Sequence, residues 1–319
     1  MRVVVALGGN ALLQRGERPD AVIQRRHVRQ AAAALAPLAA DHQIVLCHGN
    51  GPQVGMLALE SQADASLSQP YPLDVLVSQT QGMIGYWLVQ ELRNAGVAQP
   101  AVCVISQTVV DPSDPAFGHP TKFIGAGYDQ GEARELAARL GWTIAADGPR
   151  WRRVVASPRP LGLVEIETVR SLADAGVLVV CGGGGGVPVT RSAAGELAGV
   201  EAVVDKDLTS AELAITLKAD RLLVLTDVPA IIRDYGTPDA QPIHAIDTAA
   251  LSAMTFPAGS MGPKVEACIR FVTASGQPAA IGALTDAADI LAGRAGTTIS
   301  AARPAMTEPA ARSPGGSRS

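Results

Sequence analysis

Residues Val177–Thr190 read VLVVCGGGGGVPVT. The first five are short, apolar and β-branched, the pattern of a strand buried on both faces. Five glycines, Gly182–Gly186, follow without a gap, and Val187-Pro188-Val189 resumes the apolar run. A glycine linker separates domains, whereas this row has apolar segments on both sides and so belongs inside a folded core. At the end of a strand, glycines expose backbone N–H groups and admit an anion to close range. The row therefore predicts a phosphate-binding bend, with Gly183 and Gly184 at its centre. Tight packing is the alternative for any single bend of this kind.

Two more bends of the same type lie nearer the start. Arg2–Leu7 runs into Gly8-Gly9-Asn10, and Gln43–His48 runs into Gly49-Asn50-Gly51. Further short apolar runs, Ala101–Ser106, Arg221–Thr226 and Pro278–Ala283, complete the set of predicted strands, with Val177–Cys181 among them. Helical spacing covers 20–41, 74–94, 165–175, 207–219 and 264–275. Gly96, Gly176 and Gly276 stand where left-handed C-caps are expected, and Pro37 predicts a kink or break in the first helix. The alternation predicts an α/β fold, a mostly parallel sheet with helices on both faces. Ligands bind off the carboxyl ends of strands in such sheets, where all three glycine bends fall.

The rhythm breaks at about 111–160, which is rich in Pro and Gly and carries its own helix, Gln130–Leu140, and strand-like Trp142–Ala146 and Arg153–Ala156. It reads as a small inserted subdomain. The last stretch, 301–319, has no apolar period and is expected to be a disordered tail.

The bulk numbers narrow the function. A net charge of −4 with 18% charged residues gives no electrostatic case for nucleic acid or an anionic membrane. No apolar run approaches the roughly 18 residues of a membrane helix, and Gly8-Gly9-Asn10 interrupts the opening apolar run too early for a signal peptide. A cytoplasmic protein is expected. Cys47, Cys103, Cys181 and Cys268 are far apart and read as reduced, mostly buried thiols.

Of 26 basic residues only four are lysines, Lys122, Lys206, Lys218 and Lys264. A chain that otherwise uses Arg keeps Lys where a compact ammonium on a flexible stem is needed. Lys122, Lys206 and Lys264 sit in polar or glycine-rich contexts, His119–Gly125, Val203–Asp207 and Pro257–Lys264. Lys218 closes an ordinary helix and is assigned no role. Known alternatives fail: there is no GxxxxGK[ST], the glycine row is not GxGxxG, and AGSMG resembles a nucleophile elbow but has no histidine downstream. His48 reads as a hydrogen-bonded structural histidine, and no histidine pair has metal-ligand spacing.

Longer motifs, in order, carry a resemblance. VVALGGNAL, HGNGPQVG, the stretch Gln79–Trp87, VVDPSDPAF, HPTKFIG, WRRVVASPRP, GGGGVPV, GVEAVVDKD and PAGSMGPKVEA together resemble the carbamate kinase family, from about residue 3 to 275. Phe123 and Ala156 stand where prolines are common in that family. The resemblance implies the amino-acid kinase fold, a three-layer α/β/α sandwich with a protruding inserted subdomain. The domain is then about 1–300. It has a carbamate lobe to about 195, holding the insertion, and a nucleotide lobe at about 196–300. It implies ATP + carbamate = ADP + carbamoyl phosphate with Mg²⁺, in a homodimer, running toward ATP in arginine catabolism.

Residue by residue, it implies that Gly8, Gly9, Asn10, Gly49, Asn50 and Gly51 cradle carbamate and the transferring phosphoryl group. Lys122 reaches in from the insertion, Lys206 stabilises the transition state, and Asp207 orients the lysines and lies near Mg²⁺, with no protein metal ligand assigned. Lys264 contacts the nucleotide phosphates, and Asp205, Thr226, Asp227 and Tyr235 join it in the nucleotide site. Relatives acting on larger carboxylates have Lys in the first strand, where this chain has Ala6; Lys122 is expected to supply that charge from above. Two other readings remain open: a kinase for another small acid, phosphonate or nucleoside monophosphate, and a non-catalytic nucleotide sensor.

Overall fold

The first strand, β1 (Arg2–Leu7), is RVVVAL, and five of its six residues are buried. Val4 and Ala6 face one apolar core while Val3, Val5 and Leu7 face another, so a run without polar alternation marks a strand covered on both sides. The computed structural model describes residues 1–302 except Arg15 and Ala258, and leaves out the side chain of Asn10. All but the first two residues of the expected disordered tail lie outside the described residues.

The chain continues through α1 (Ala21–Asp41), β2 (Gln43–His48), α2 (Gly51–Ala63), α3 (Leu73–Asn94), β3 (Ala101–Cys103) and β4 (Gln107–Val110). Then come β5 (Lys122–Tyr128), α4 (Gln130–Leu140), β6 (Thr143–Asp147), β7 (Arg150–Val155) and β8 (Pro160–Leu163). Next are α5 (Ile166–Asp174), β9 (Leu178–Val180), β10 (Val187–Arg191), β11 (Leu197–Gly199), α6 (Lys206–Thr216) and β12 (Arg221–Thr226). The last part holds β13 (Ile231–Arg233), β14 (Gln241–Ile243), β15 (Ala245–Asp247), α7 (Thr248–Ser252), α8 (Met261–Ser275), β16 (Ala279–Ala283), α9 (Ala287–Leu291) and β17 (Thr297–Ser300).

The main sheet has the order β15-β17-β16-β12-β1-β2-β9-β3. Its pairings are parallel except β16 with β17. Helices α5, α6, α7 and α8 cover one face and α1, α3 and α9 the other, giving the expected three layers. Because β12, β1, β2 and β9 are neighbours, the turns that follow them lie side by side at one sheet edge. That adjacency creates the site.

Ala101–Ser106 is not one strand. It leaves the main sheet after Cys103, and β4 joins a second sheet of order β11-β10-β4-β8. Between β4 and β8, paired at Val110 and Pro160, the chain leaves to form an antiparallel sheet β5-β7-β6 with α4. Asp129 caps α4 by accepting from Glu132 N–H, and Gly141 closes it at φ 67°. Pro37 does not end α1, which runs on to Asp41. Gly96, Gly176 and Gly276 all have positive φ after their helices, at 88°, 80° and 69°.

Candidate active site

Asp205 ends an apolar run at the start of α6, and its carboxylate caps the helix by accepting from Asp207 N–H at 2.8 Å and Leu208 N–H at 3.3 Å. This cap fixes where Lys206 and Asp207 sit, in the first turn of the helix. Lys206 Nζ donates to Asp207 Oδ1 at 2.9 Å, and Lys264 Nζ, from the first turn of α8, donates to Asp207 Oδ2 at 3.1 Å. Lys122, the first residue of β5, pairs with Asp205. Three of the four lysines thus arrive from three separate elements onto two carboxylates. Three ammonium groups against two carboxylates leave one surplus positive charge.

Depth is graded. Asp207 is 2% exposed and Lys206 8%, whereas the Lys122 side chain is 28% exposed at the mouth. Burial alone would raise both carboxyl pKa values, but the lysines overcome it and hold Asp205 and Asp207 below the usual carboxylate range. Burial pulls the Lys206 ammonium down against the support of Asp207. Burial opposes Lys264 too, yet Asp207 beside it raises that pKa.

The first two glycine bends meet this cluster. A Cβ on Gly49 would lie 3.0 Å from Gly9 N, a tight approach to the first bend, and 3.4 Å from Lys206 Cδ, in ordinary contact with the lysine stem. Gly8 N–H donates to Leu225 O and Gly49 N–H to Leu7 O, extending the sheet ladder. These two glycines therefore contribute close approach rather than free amides. Gly9 and Asn10 form a 3-10 turn, and the Asn10 side chain lies outside the described residues. Asn50 is buried, donates from Nδ2 to Thr80 Oγ1 at 2.9 Å, and precedes α2, which opens at Gly51. The N-terminal ends of α2, α6 and α8 bring three helix dipoles, of the sign that favours an anion, toward the lysine cluster.

The glycine row is packed, and all five of its residues are buried. Gly182, Gly184, Gly185 and Gly186 have positive φ. A Cβ on Gly183 would lie 2.3 Å from His48 Nε2, on Gly184 2.1 Å from Asn50 Nδ2, and on Gly186 2.1 Å from Thr108 Oγ1. Tight packing, the alternative reading of such a bend, describes what these contacts are. The row presses directly on the second bend.

A family model described as the amino acid kinase family matches residues 1–283. The chain belongs to that family. It is 50% identical over 303 residues to the carbamate kinase of Rhizobium meliloti, covering 94% of this chain and 93% of that one. It is 47% identical over 298 residues to the carbamate kinase of Escherichia coli strain K12, covering 93% and 99%. Among solved structures, the carbamate kinase of Giardia lamblia bound to AMP-PNP aligns with TM-score 0.84 at 42% identity, over 94% of this chain and 98% of that one. The same Giardia enzyme bound to citric acid aligns with TM-score 0.89 at 41% identity, over the same shares.

Not every expected nucleotide residue of this amino acid kinase joins the lysine cluster. Thr226, at the end of β12, lies beside Gly8 and donates to Asp227 Oδ1 at 3.0 Å. Tyr235 stands 75% exposed between β13 and β14, and no contact among the described residues links it to the lysines. His48 is buried, with Nδ1 2.9 Å from Gly49 O, and burial lowers its pKa to about 4. The neutral ring therefore donates from Nδ1 as a structural histidine. The four thiols are unpaired, and burial pushes Cys103 to about 11 and raises Cys268 as well. Sequence reasoning assigned no role to Thr80, Gln81, Ser106 or Thr108, all fully buried and polar. Their signal is a run of four polar residues, Ser78–Gln81, inside a helix, and a hydroxyl at the break between two strands.

Proposed function

We propose that the chain transfers a phosphoryl group between carbamate and ATP, as a carbamate kinase, and that it works toward ATP. The observation that carries the site assignment is the convergence of Lys122, Lys206 and Lys264 on Asp205 and Asp207 at the strand ends. Phosphoryl transfer asks for positioning and charge stabilisation more than covalent chemistry. An ammonium about 4 Å from a phosphoryl oxygen contributes on the order of 4 kcal/mol at an effective dielectric near 20, before desolvation. In this reading Lys206 bears on the migrating phosphoryl group, Lys264 on the nucleotide phosphates, and Lys122 on the carbamoyl side. Asp205 and Asp207 keep the ammonium groups apart and aimed. Gly9, Gly49, Asn50 and the α2 N-terminus border the carbamate, with the amides of Gly183 and Gly184 behind them. Thr226, Asp227 and Tyr235 line the nucleotide side.

Mg²⁺ enters this reading with the nucleotide. Among the described residues no three His, Cys, Asp or Glu side chains are placed to hold a metal ion. Both Asp207 oxygens are taken by lysines, and Asp205 is divided between Lys122 and the helix cap. This donor set does not fit a protein-held ion, so phosphate oxygens of the nucleotide are its natural ligands, and no step is routed through it.

Carbamate has about four heavy atoms, which caps its binding at roughly 6 kcal/mol. The inserted sheet that carries Lys122 is then a cover that excludes water from a labile acyl phosphate. The family resemblance implies a homodimer, which light scattering would measure. No described helix is long and apolar enough to cross a membrane, and unpaired thiols fit a reducing cytoplasm.

The test is ATP formation from carbamoyl phosphate, ADP and Mg²⁺, read through a coupled enzyme. Lys206→Arg should lower kcat by about 10²- to 10³-fold with the fold unchanged, because a planar guanidinium cannot occupy the slot beside Gly49. Turnover near wild type in that variant removes Lys206 from the mechanism.

A further inference from the structure

The five-glycine row has two feet, and one residue holds both. Ser106, fully buried where the chain passes from β3 to β4, accepts the Gly182 N–H on its Oγ at 2.7 Å. Its carbonyl accepts the Val187 N–H at 2.8 Å. The row therefore leaves and returns at the same point, a closed loop rather than a free bend. Further along, Gly185 O accepts from the hydroxyls of Thr108 and Thr209 at 2.7 and 2.9 Å.

Ser106 is in turn gripped by a single side chain. Gln81, 1% exposed on α3, donates from Nε2 to Ser106 O at 3.0 Å, and its Oε1 accepts from Ser106 N at 2.9 Å and Oγ at 3.2 Å. The Gln81 stem also backs the apex, since a Cβ on Gly183 would lie 3.0 Å from Gln81 Cγ. The neighbouring Thr80 receives Asn50 Nδ2. Two consecutive residues of one helix thus fix both the glycine loop and the second strand-end bend. A buried amide with its hydrogen bonds matched sets one geometry, because any other arrangement leaves a polar atom unpaired.

We propose that Gln81 and Ser106 are positioning residues for the reaction: their clamp on Gly182 and Val187 sets the height of Gly183 and Gly184 against Asn50, and so the orientation of carbamoyl phosphate. Neither touches substrate. The inference rests on the reading above, in which the glycine bends border the carbamoyl side of the site. It separates the two substrates, because the clamp lies behind the carbamoyl side while Lys264 and Thr226 lie on the nucleotide side.

Ser106→Ala removes one oxygen and leaves the Gly182 N–H without its acceptor. Gln81→Met keeps the side-chain length and removes the grip on Ser106. Both should lower kcat and raise the KM for carbamoyl phosphate, for a combined loss of about 5- to 100-fold in kcat/KM. The Kd of ADP, titrated without carbamoyl phosphate, should stay within about twofold. Because both act through one clamp, the double variant should be little worse than the worse single variant. A carbamoyl phosphate kcat/KM within twofold of wild type, a parallel weakening of ADP binding, or fully additive losses would each overturn the proposal. Should Gln81→Met fail to fold, Ser106→Ala decides alone. Wild-type protein is assayed first with carbamoyl phosphate and ADP. No turnover there sinks the functional reading, while normal turnover with unaffected variants sinks only the clamp.

Discussion

Gly55→Ala should impair catalysis although Gly55 touches none of the three lysines. Gly55 lies on α2 against β5, and a Cβ there would stand 2.0 Å from Gly125 Cα and 2.2 Å from Gly125 N. Ordinary contact begins at 3.4 Å, so 3.4 − 2.0 gives a separation of at least 1.4 Å to be opened between two backbones. Lys122 begins the same strand three residues earlier. If β5 moves as a body, a lysine–carboxylate bond of the usual ~2.8 Å lengthens to ~4.2 Å. At an effective dielectric near 20 the Coulomb energy falls from about 5.9 to about 4.0 kcal/mol, a loss of about 2 kcal/mol or roughly 30-fold. A misplacement of this size by itself costs on the order of 10²-fold in rate. The coupled ATP assay should therefore show kcat down by about 30- to 100-fold, with ADP binding nearly unchanged. Movement of α2 instead would displace Gly51 and Asn50 and act in the same direction. The matched control is Gly82→Ala, an exposed position in α3 with nothing within 4 Å of the added carbon. It should leave kcat intact and add up to about 1 kcal/mol of stability. A kcat for Gly55→Ala within threefold of wild type, in a protein with unchanged circular dichroism, refutes the reasoning.

Asp207→Asn takes the shared carboxylate from Lys206 and Lys264; kcat should fall, and its alkaline limb should move to lower pH as Lys206 loses the charge that holds its proton. An unmoved limb argues against Lys206 acting as an ammonium. His48 titrates near 6.5 in an unfolded chain and near 4 when folded, so between these values the unfolded chain binds the extra proton. Stability should consequently fall as pH drops through that window, by up to about 3 kcal/mol, and His48→Gln should flatten the slope in denaturant titrations. Replacing 111–159 by a short turn joins strands already paired at Val110 and Pro160. The product should fold and lose nearly all turnover with Lys122; intact turnover would show that the insertion is not a working cover.

Local sequence held most of the main sheet. The bounds of β1, β2 and β12 are those expected, because an unbroken apolar interior starts from a polar residue in each: Arg2, Gln43 and Arg221. The helix α2 was not legible. Gly51 and Gly55 depress its propensity, and only Pro52 at the first turn signals its start. Neither was the turn at Ser106, since the force that draws the chain out of the main sheet is a hydrogen-bond set from Gln81, 25 residues away. Lysine scarcity singled out Lys122, Lys206 and Lys264, the three that the fold brings onto Asp205 and Asp207. The spacing could not say that Asp205 and Asp207 divide the three between them, as it says nothing about where α8 or β5 docks.

The unequal count of ammonium and carboxylate groups has a consequence for selectivity in the cell. A cluster with one spare cation and three helix starts should favour small oxyanions as a class. Inorganic phosphate and sulfate at millimolar levels should thus occupy it and slow turnover. Discrimination has to come from the bends beneath, where Gly183 and Gly184 press on His48 and Asn50.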